Sequence, residues 1–222
     1  MNQSSEDLAY NKIKVAISKG YIKKGNKLKE VALAKSLGMS RATIKGAIKQ
    51  LVFEGLAESS LHKGASVVNP SLEEIKQSFM VRAQLEKTAT ELASKVLTPR
   101  DIDELHQLIQ KERDVFSARK LDQYYGINNT IHLKIAEKSN NKVLFHYVKE
   151  LLQKTTIFLI LFDPFYQLLD GDDTSPDEHE KIVQWLEKKN EKKAGLAMEQ
   201  HLGSAMSGID VKRLLPDDYL SV

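Results

Sequence analysis

The stretch Leu33–Leu56, LAKSLGMSRATIKGAIKQLVFEGL, decides how the rest of the chain is read. Leu33, Ala34 and Leu37 fall at helical spacing, and Gly38 supplies the small residue that a sharp turn between helices needs. Ser40 then restarts the chain as an N-cap, its hydroxyl placed to accept from the free N–H groups of the next turn. Ile44, Ala47, Ile48 and Leu51 repeat at i, i+3, i+4 and i+7, and Gly55 closes the helix. Arg41, Ala42, Thr43, Lys45, Gly46 and Lys49 are left on faces that do not pack. Such a helix can read DNA. Arg41 and Thr43 offer donors at its N-terminal end, Lys45 and Lys49 can reach phosphates, and Ala42 and Gly46 permit close approach to base edges. The same spacing also fits an ordinary helical hairpin with a solvated basic face.

The residues beyond Gly55 favour the first reading. Leu56–Ser59 and Ala65–Val68 are short strand-like pieces around a turn at His62, Lys63 and Gly64, and a hairpin directly after a recognition helix is a wing. Its cation and small residue suit a contact with the DNA backbone or minor groove. Upstream, Leu8, Ile13, Ala16 and Ile17 predict a helix from about Ser5 to Lys19, followed by a basic turn at Lys23–Lys27. The charge is unevenly spread. The net charge of the 222 residues is +3, yet residues 1–70 hold 12 Lys+Arg against 5 Asp+Glu and the remainder 21 against 25. A basic first domain joined to an acidic second one points to polyanion binding by the first alone.

The run from Gly20 to Val68 resembles the winged helix-turn-helix domain of the GntR family of bacterial transcription regulators. The resemblance rests on GYIKKGNKL, on LAKSLGMSRATIKGAIKQLVFEGL and on the wing HKGASVV, in that order. It implies a double-stranded DNA operator, palindromic for a homodimer, contacted by Ser40, Arg41, Ala42, Thr43, Lys45, Lys49, His62, Lys63 and Gly64. Members often carry Pro where Thr43 stands, and an Arg-Glu pair where Lys45 and Gly46 stand. Lys45 keeps the charge of that Arg without its bidentate fork, which alters base readout more than phosphate grip.

Beyond Asn69-Pro70 the pattern is helical throughout, so the domains are expected at 1–70 and 71–222, and the fold class is mostly α: a winged head with a small β-hairpin, then an antiparallel all-α bundle. Ile75, Phe79, Leu85, Ala89, Leu92, Ala93 and Val96 mark one long helix, with Thr98-Pro99 opening the next. Leu121–Lys138, Asn141 to about Phe162, Ser175–Lys189 and Glu191–Ser207 complete the set. Hydrophobic content of 41% and charged content of 28% are those of a soluble globular protein, and the absence of Cys excludes disulfides and thiolate metal sites. The N-terminus has neither a signal-peptide nor an anchor pattern and Thr155–Phe162 is too short to span a bilayer, so the expected location is the cytoplasm, with no membrane partner.

Helical geometry sorts the six histidines. His132 lies with Ile131 and Ile135, with Asn128 one turn earlier; His179 shares a face with Ile182, Val183 and Leu186; His201 shares one with Ala194, Ala197, Met198 and Ala205. His146 sits among charges and His106 at the edge of a stripe. Three inward histidines can be hydrogen-bonded core residues, or they can converge on a divalent metal such as zinc. Arg82 falls near the apolar stripe of its helix, where Glu86 one turn on is a ready structural partner.

The C-terminal domain is similar to the helical FCD ligand-binding domain of the FadR subfamily, on NNTIHLKIAEKSNN, on DEHEKIVQWLEKKNEKKAGLAMEQHL and on the Arg and Glu of VRAQLE. The resemblance implies a metal held by His132, His179, His201 and residue 128, which is Asn128 here in place of the usual Asp. It further implies Arg82 as the partner of a small carboxylate effector, and a homodimer built on the helical domains. The expected function is thus a ligand-responsive transcription regulator. A constitutive DNA binder with a structural helical domain is the alternative. A metal-dependent hydrolase is less favoured, because the HEKIV run has Val183 where a zinc HExxH motif needs its second His.

Overall fold

The computed structural model describes residues 4–61, 64–162 and 175–209. Among these, nine α-helices and one two-stranded antiparallel sheet form. The chain divides into two compact units, residues 1–71 with 157–162, and residues 72–156 with 163–222.

In the first unit, α1 (Ser5–Ser18), α2 (Glu30–Leu37) and α3 (Arg41–Glu54) precede the hairpin β1 (Ala57–Ser60) and β2 (Gly64–Val67). Gly38 takes φ 64° to end α2 and Gly55 takes φ 85° to end α3, left-handed backbone where a side chain would be strained. Between them Ser40 caps α3 by accepting from the Thr43 N–H. The buried face of α3 is Ile44, Ala47, Ile48 and Leu51, the stripe expected from spacing. On α1 the expected Leu8 is 40% exposed, and Ala9, Tyr10, Ile13 and Ile17 are buried instead. Tyr10, Ile13 and Ile17 follow the i, i+3, i+7 register that packs on α3, and Leu8 lies off it. The hairpin pairs Ala57 with Val67 and Ser60 with Gly64, and an isolated bridge from Lys27 to Ser66 ties the basic turn to β2. His62 and Lys63, expected at the wing tip, lie outside the described residues.

In the second unit, α4 (Leu72–Ala93), α5 (Pro99–Ser117), α6 (Leu121–Glu137), α7 (Lys142–Phe162, of which residues 157–162 fall in the first unit), α8 (Ser175–Glu187) and α9 (Glu191–Ser207) form the helical bundle. Thr98 and Asp101 make a reciprocal capping box with Pro99 in the first turn of α5. The α4 stripe stops before Val96, which is 44% exposed beyond the helix end, and Leu97 turns in instead. Helix α4 packs on α9 and α6, α5 on α6 and α8, and α8 on α9. The main apolar cluster joins Leu105 and Ile109 of α5, Ile131 and Ile135 of α6, Ile182 and Leu186 of α8, and Met198 and Leu202 of α9. Polar side chains interrupt this core at one level of the bundle.

Candidate metal centre and nucleic-acid interface

The interruption is a cluster of charge and imidazole drawn from five helices, with a hydroxyl from a sixth. His132 of α6, His179 of α8 and His201 of α9 are all at most 3% exposed. Their Nε2 atoms converge, His132 lying 3.4 Å from His179 and 3.3 Å from His201. The opposite ring nitrogen of each meets a carboxylate: His132 Nδ1 is 2.5 Å from Glu86, His179 Nδ1 2.8 Å from Glu112, and His201 Nδ1 2.8 Å from Glu178. An ionised carboxylate only accepts, so each Nδ1 carries a proton, and in a neutral ring Nε2 then presents a lone pair. Three such lone pairs facing one another repel unless a cation lies between them. Neutral imidazoles oriented through Nδ1 by carboxylates are the donor set that a divalent metal takes. The three histidines are the described group able to hold such an ion, with their ligand atoms within 4.8 Å of one another.

The electrostatics keep two of these rings, His132 and His201, unprotonated. Burial lowers His132 to about 4, against the opposing pull of Glu86. Burial also lowers His201, to about 3, reinforced by the neighbouring His179. Burial would raise Glu86, but Arg82 and His132 beside it bring it down to about 2. At neutral pH two of the rings are therefore ready for a metal without losing a proton first.

Arg82 of α4 adjoins this cluster through Glu86, which accepts from Arg82 Nε at 2.5 Å on one oxygen and meets His132 on the other. Arg82 Nη1 donates to Thr155 of α7 at 2.8 Å, and the buried Nη2 has no hydrogen-bond partner among the described residues. An orphaned guanidinium nitrogen in a 2% exposed residue is costly unless an anion meets it. Asn128 turns its amide nitrogen to Glu112 at 3.1 Å and to Ser175 at 3.4 Å. His106 pairs at 3.2 Å with Glu180, and His146 is exposed; both lie apart from the centre.

Sequence reasoning passed over Glu112 and Glu178 as the residues that orient His179 and His201. A signal for Glu112 was present: it continues the series Ile102, Leu105, Ile109 on the buried stripe of α5, a charged residue in an apolar register. Thr155 was hidden within an apolar run.

The first unit carries the other candidate surface. Ser40, Arg41, Ala42, Lys45 and Lys49 are exposed along α3, and Thr43 is half-buried, its hydroxyl 2.9 Å from that of Ser40. Gly64 is exposed at the start of β2. Arg41 lies 3.6 Å from Glu30, the first residue of α2. A Cβ at Gly46 would overlap the Glu6 carboxylate, so α1 fills with its own acid the space that the absent side chain leaves. A concavity of about 410 Å³ beside this surface is lined by Lys27, Lys29, Arg41 and Gly64 among others. It adds Lys27 of the basic turn and Lys29, the N-cap residue of α2, to the cations of the helix. No helix among the described residues is long and apolar enough to cross a membrane.

Comparison with known proteins identifies both modules. Residues 6–67 match the family described as bacterial regulatory proteins of the gntR family, and residues 77–204 match the FCD domain. The uncharacterized HTH-type transcriptional regulator YdhC of Bacillus subtilis is 28% identical over 194 residues, covering 83% of this chain and 82% of that protein. The HTH-type transcriptional regulator LutR of Bacillus subtilis is 27% identical over 210 residues, covering 84% and 92%. The structure of Escherichia coli McbR/YncC shares the fold with a TM-score of 0.65 at 21% identity, covering 93% of this chain and 97% of that one. Regulators of this family bind DNA operators and typically act as dimers, and they are not enzymes, which removes the hydrolase reading of the histidines. The chain belongs to the GntR family of bacterial transcription regulators and carries an FCD effector-binding domain as its C-terminal module.

Proposed function

We propose that this regulator binds a palindromic double-stranded operator as a homodimer, and that its helical unit takes up a divalent metal ion, zinc or similar, together with a small carboxylate effector. The observation that carries the second half is the convergence of three Nε2 lone pairs beside an orphaned Arg82 Nη2. His132, His179 and His201 would hold the ion, with Asn128 as the neutral fourth residue. A divalent ion held there supplies a Lewis-acidic anchor for a carboxylate oxygen. Arg82 contributes a second, directional contact to the same anion, and Glu86 and Thr155 hold its guanidinium in place.

In the head, α3 enters the major groove with Ser40, Arg41, Ala42 and Thr43 at the bases and flanking phosphates, and with Lys45 and Lys49 on the backbone. The wing at His62, Lys63 and Gly64 grips the flanking duplex. An acid that binds one arrangement of the helical unit better than another shifts the population of the dimer, and operator affinity follows by linkage.

Fluorescence anisotropy on a labelled palindromic duplex tests this, using zinc-loaded protein and a panel of mono- and dicarboxylic acids. At least one acid is expected to change the operator affinity by about 5-fold or more, the lower range of allosteric coupling. If no acid does so, the constitutive DNA binder with a structural bundle replaces this reading.

A further inference from the structure

Asn128 lies against Glu112, and that contact accounts for an amide at this position. Glu112 of α5 is fully buried, with one oxygen 2.8 Å from His179 Nδ1 and the other 3.1 Å from Asn128 Nδ2. A carboxylate accepts and cannot donate, so it selects the nitrogen end of the amide and leaves Oδ1 as the free end. An acid at position 128 would instead bring two carboxylates into contact in the core.

We propose that Glu112 and Asn128 are a matched pair, in which Glu112 holds the His179 ring with one oxygen and the Asn128 amide with the other, so that an amide stands at 128 because Glu112 occupies its flank. The pair stands on this geometry and does not depend on the metal reading. Asn128 on this view does not weaken the site. It spares the buried centre a carboxylate-carboxylate contact when metal is withdrawn.

The test uses the full chain stripped with a chelator, with thermal melting of wild type, Asn128→Asp, Asn128→Ala and Glu112→Gln, and Asn128→Asp repeated in the Glu112→Gln background. Asn128→Asp is expected to melt about 5 °C below Asn128→Ala, because the added charge and not the lost amide does the damage. In the Glu112→Gln background the cost of Asn128→Asp is expected to shrink to about a third or less, the signature of direct coupling. Should Asn128→Asp fail to fold alone yet fold with Glu112→Gln, the pair is supported; failure to fold in both overturns it. Asn128→Asp melting at or above Asn128→Ala also overturns it, as does an equal cost in both backgrounds. Zinc titration against a chromophoric chelator is the second readout, with one ion per wild-type chain expected. No zinc uptake would overturn the metal reading, while the melting order still decides the pair.

Discussion

Arg41 on α3 and Arg82 on α4 are the same side chain in opposite surroundings. The Arg41 side chain is 70% exposed and lies a loose 3.6 Å from Glu30, whereas that of Arg82 is 2% exposed and lies 2.5 Å from Glu86. Water solvates the first charge at no structural expense, so it stays available to a polyanion. The second has lost its hydration and depends on partners fixed by other helices: Thr155 from α7, and Glu86, which His132 of α6 also engages. An exposed charge can be placed one residue at a time, but a buried charge needs a whole network.

Removing one member of that network breaks the contrast most severely. Arg82→Met fills similar volume yet strands Glu86 as a buried charge whose remaining partner is a neutral imidazole. Breaking a buried pair from one side costs about 3–5 kcal/mol, a loss of roughly 10 °C for a chain of this size. Differential scanning calorimetry would register it, and a melting temperature within about 2 °C of wild type would refute the claim that the network supports the bundle. The same change at the surface, Arg41→Met, should leave the melting temperature unmoved.

Acid titration probes the same difference without mutation. His132 and His201 are held neutral in the folded protein, with pKa values brought down to about 4 and about 3 from 6.5, while in the unfolded chain they protonate at the ordinary value. The unfolded state therefore binds more protons below pH 6.5, and the metal-free protein loses stability as pH falls from 6.5 towards 4. The loss is on the order of 3 kcal/mol, because the two rings are neighbours and do not titrate independently. Glu86 extends the decline below pH 4.5, since its carboxylate is held at about 2. Denaturant midpoints that stay flat between pH 6.5 and 4.5 would contradict this placement of the histidines.

The same contrast explains what could be read from the chain alone. The head was legible almost to the residue, because its cues are local: the Ser40 cap, the Ile44–Leu51 stripe, and Gly38 and Gly55 at left-handed turns. The inward direction of His132, His179 and His201 was legible too, from the periodicity of each helix. Their carboxylate partners were not. Glu86 and His132 are 46 residues apart, and Glu112 and His179 are 67 apart, so those pairings exist only once the helices pack. Glu86 was visible as the local partner of Arg82, one turn along α4, but its second oxygen belongs to tertiary structure. Leu8 shows the limit within the head itself: several apolar residues near its helix offered a stripe, and packing on α3 chose the register of Tyr10, Ile13 and Ile17.

On the exposed side the expected effects are smaller and of a different kind. Arg41 stands in the first turn of α3, free enough to leave Glu30 for a base edge or phosphate. Arg41→Ala is expected to weaken operator binding by about 1–3 kcal/mol and to reduce discrimination at the position it reads. Anisotropy with single-base operator variants would separate the two roles. An equal loss on every sequence would make Arg41 a phosphate contact only.

Lys49 should yield the smallest change and the sharpest diagnosis. It lies two turns along α3, exposed, on the side of the helix that would follow the backbone, so it contributes charge more than geometry. Lys49→Ala is expected to lower affinity by less than about 1 kcal/mol, uniformly across sequences, and to reduce the slope of log K against log salt by about 0.9. An unchanged slope would mean that Lys49 does not reach a phosphate, which would tilt the recognition helix away from the backbone at its C-terminal end. Because screening by salt is available only to a charge in contact with solvent, the same titration run on the stability of Arg82→Met should show almost no salt dependence, and that opposition is the measurable form of the difference between the two arginines.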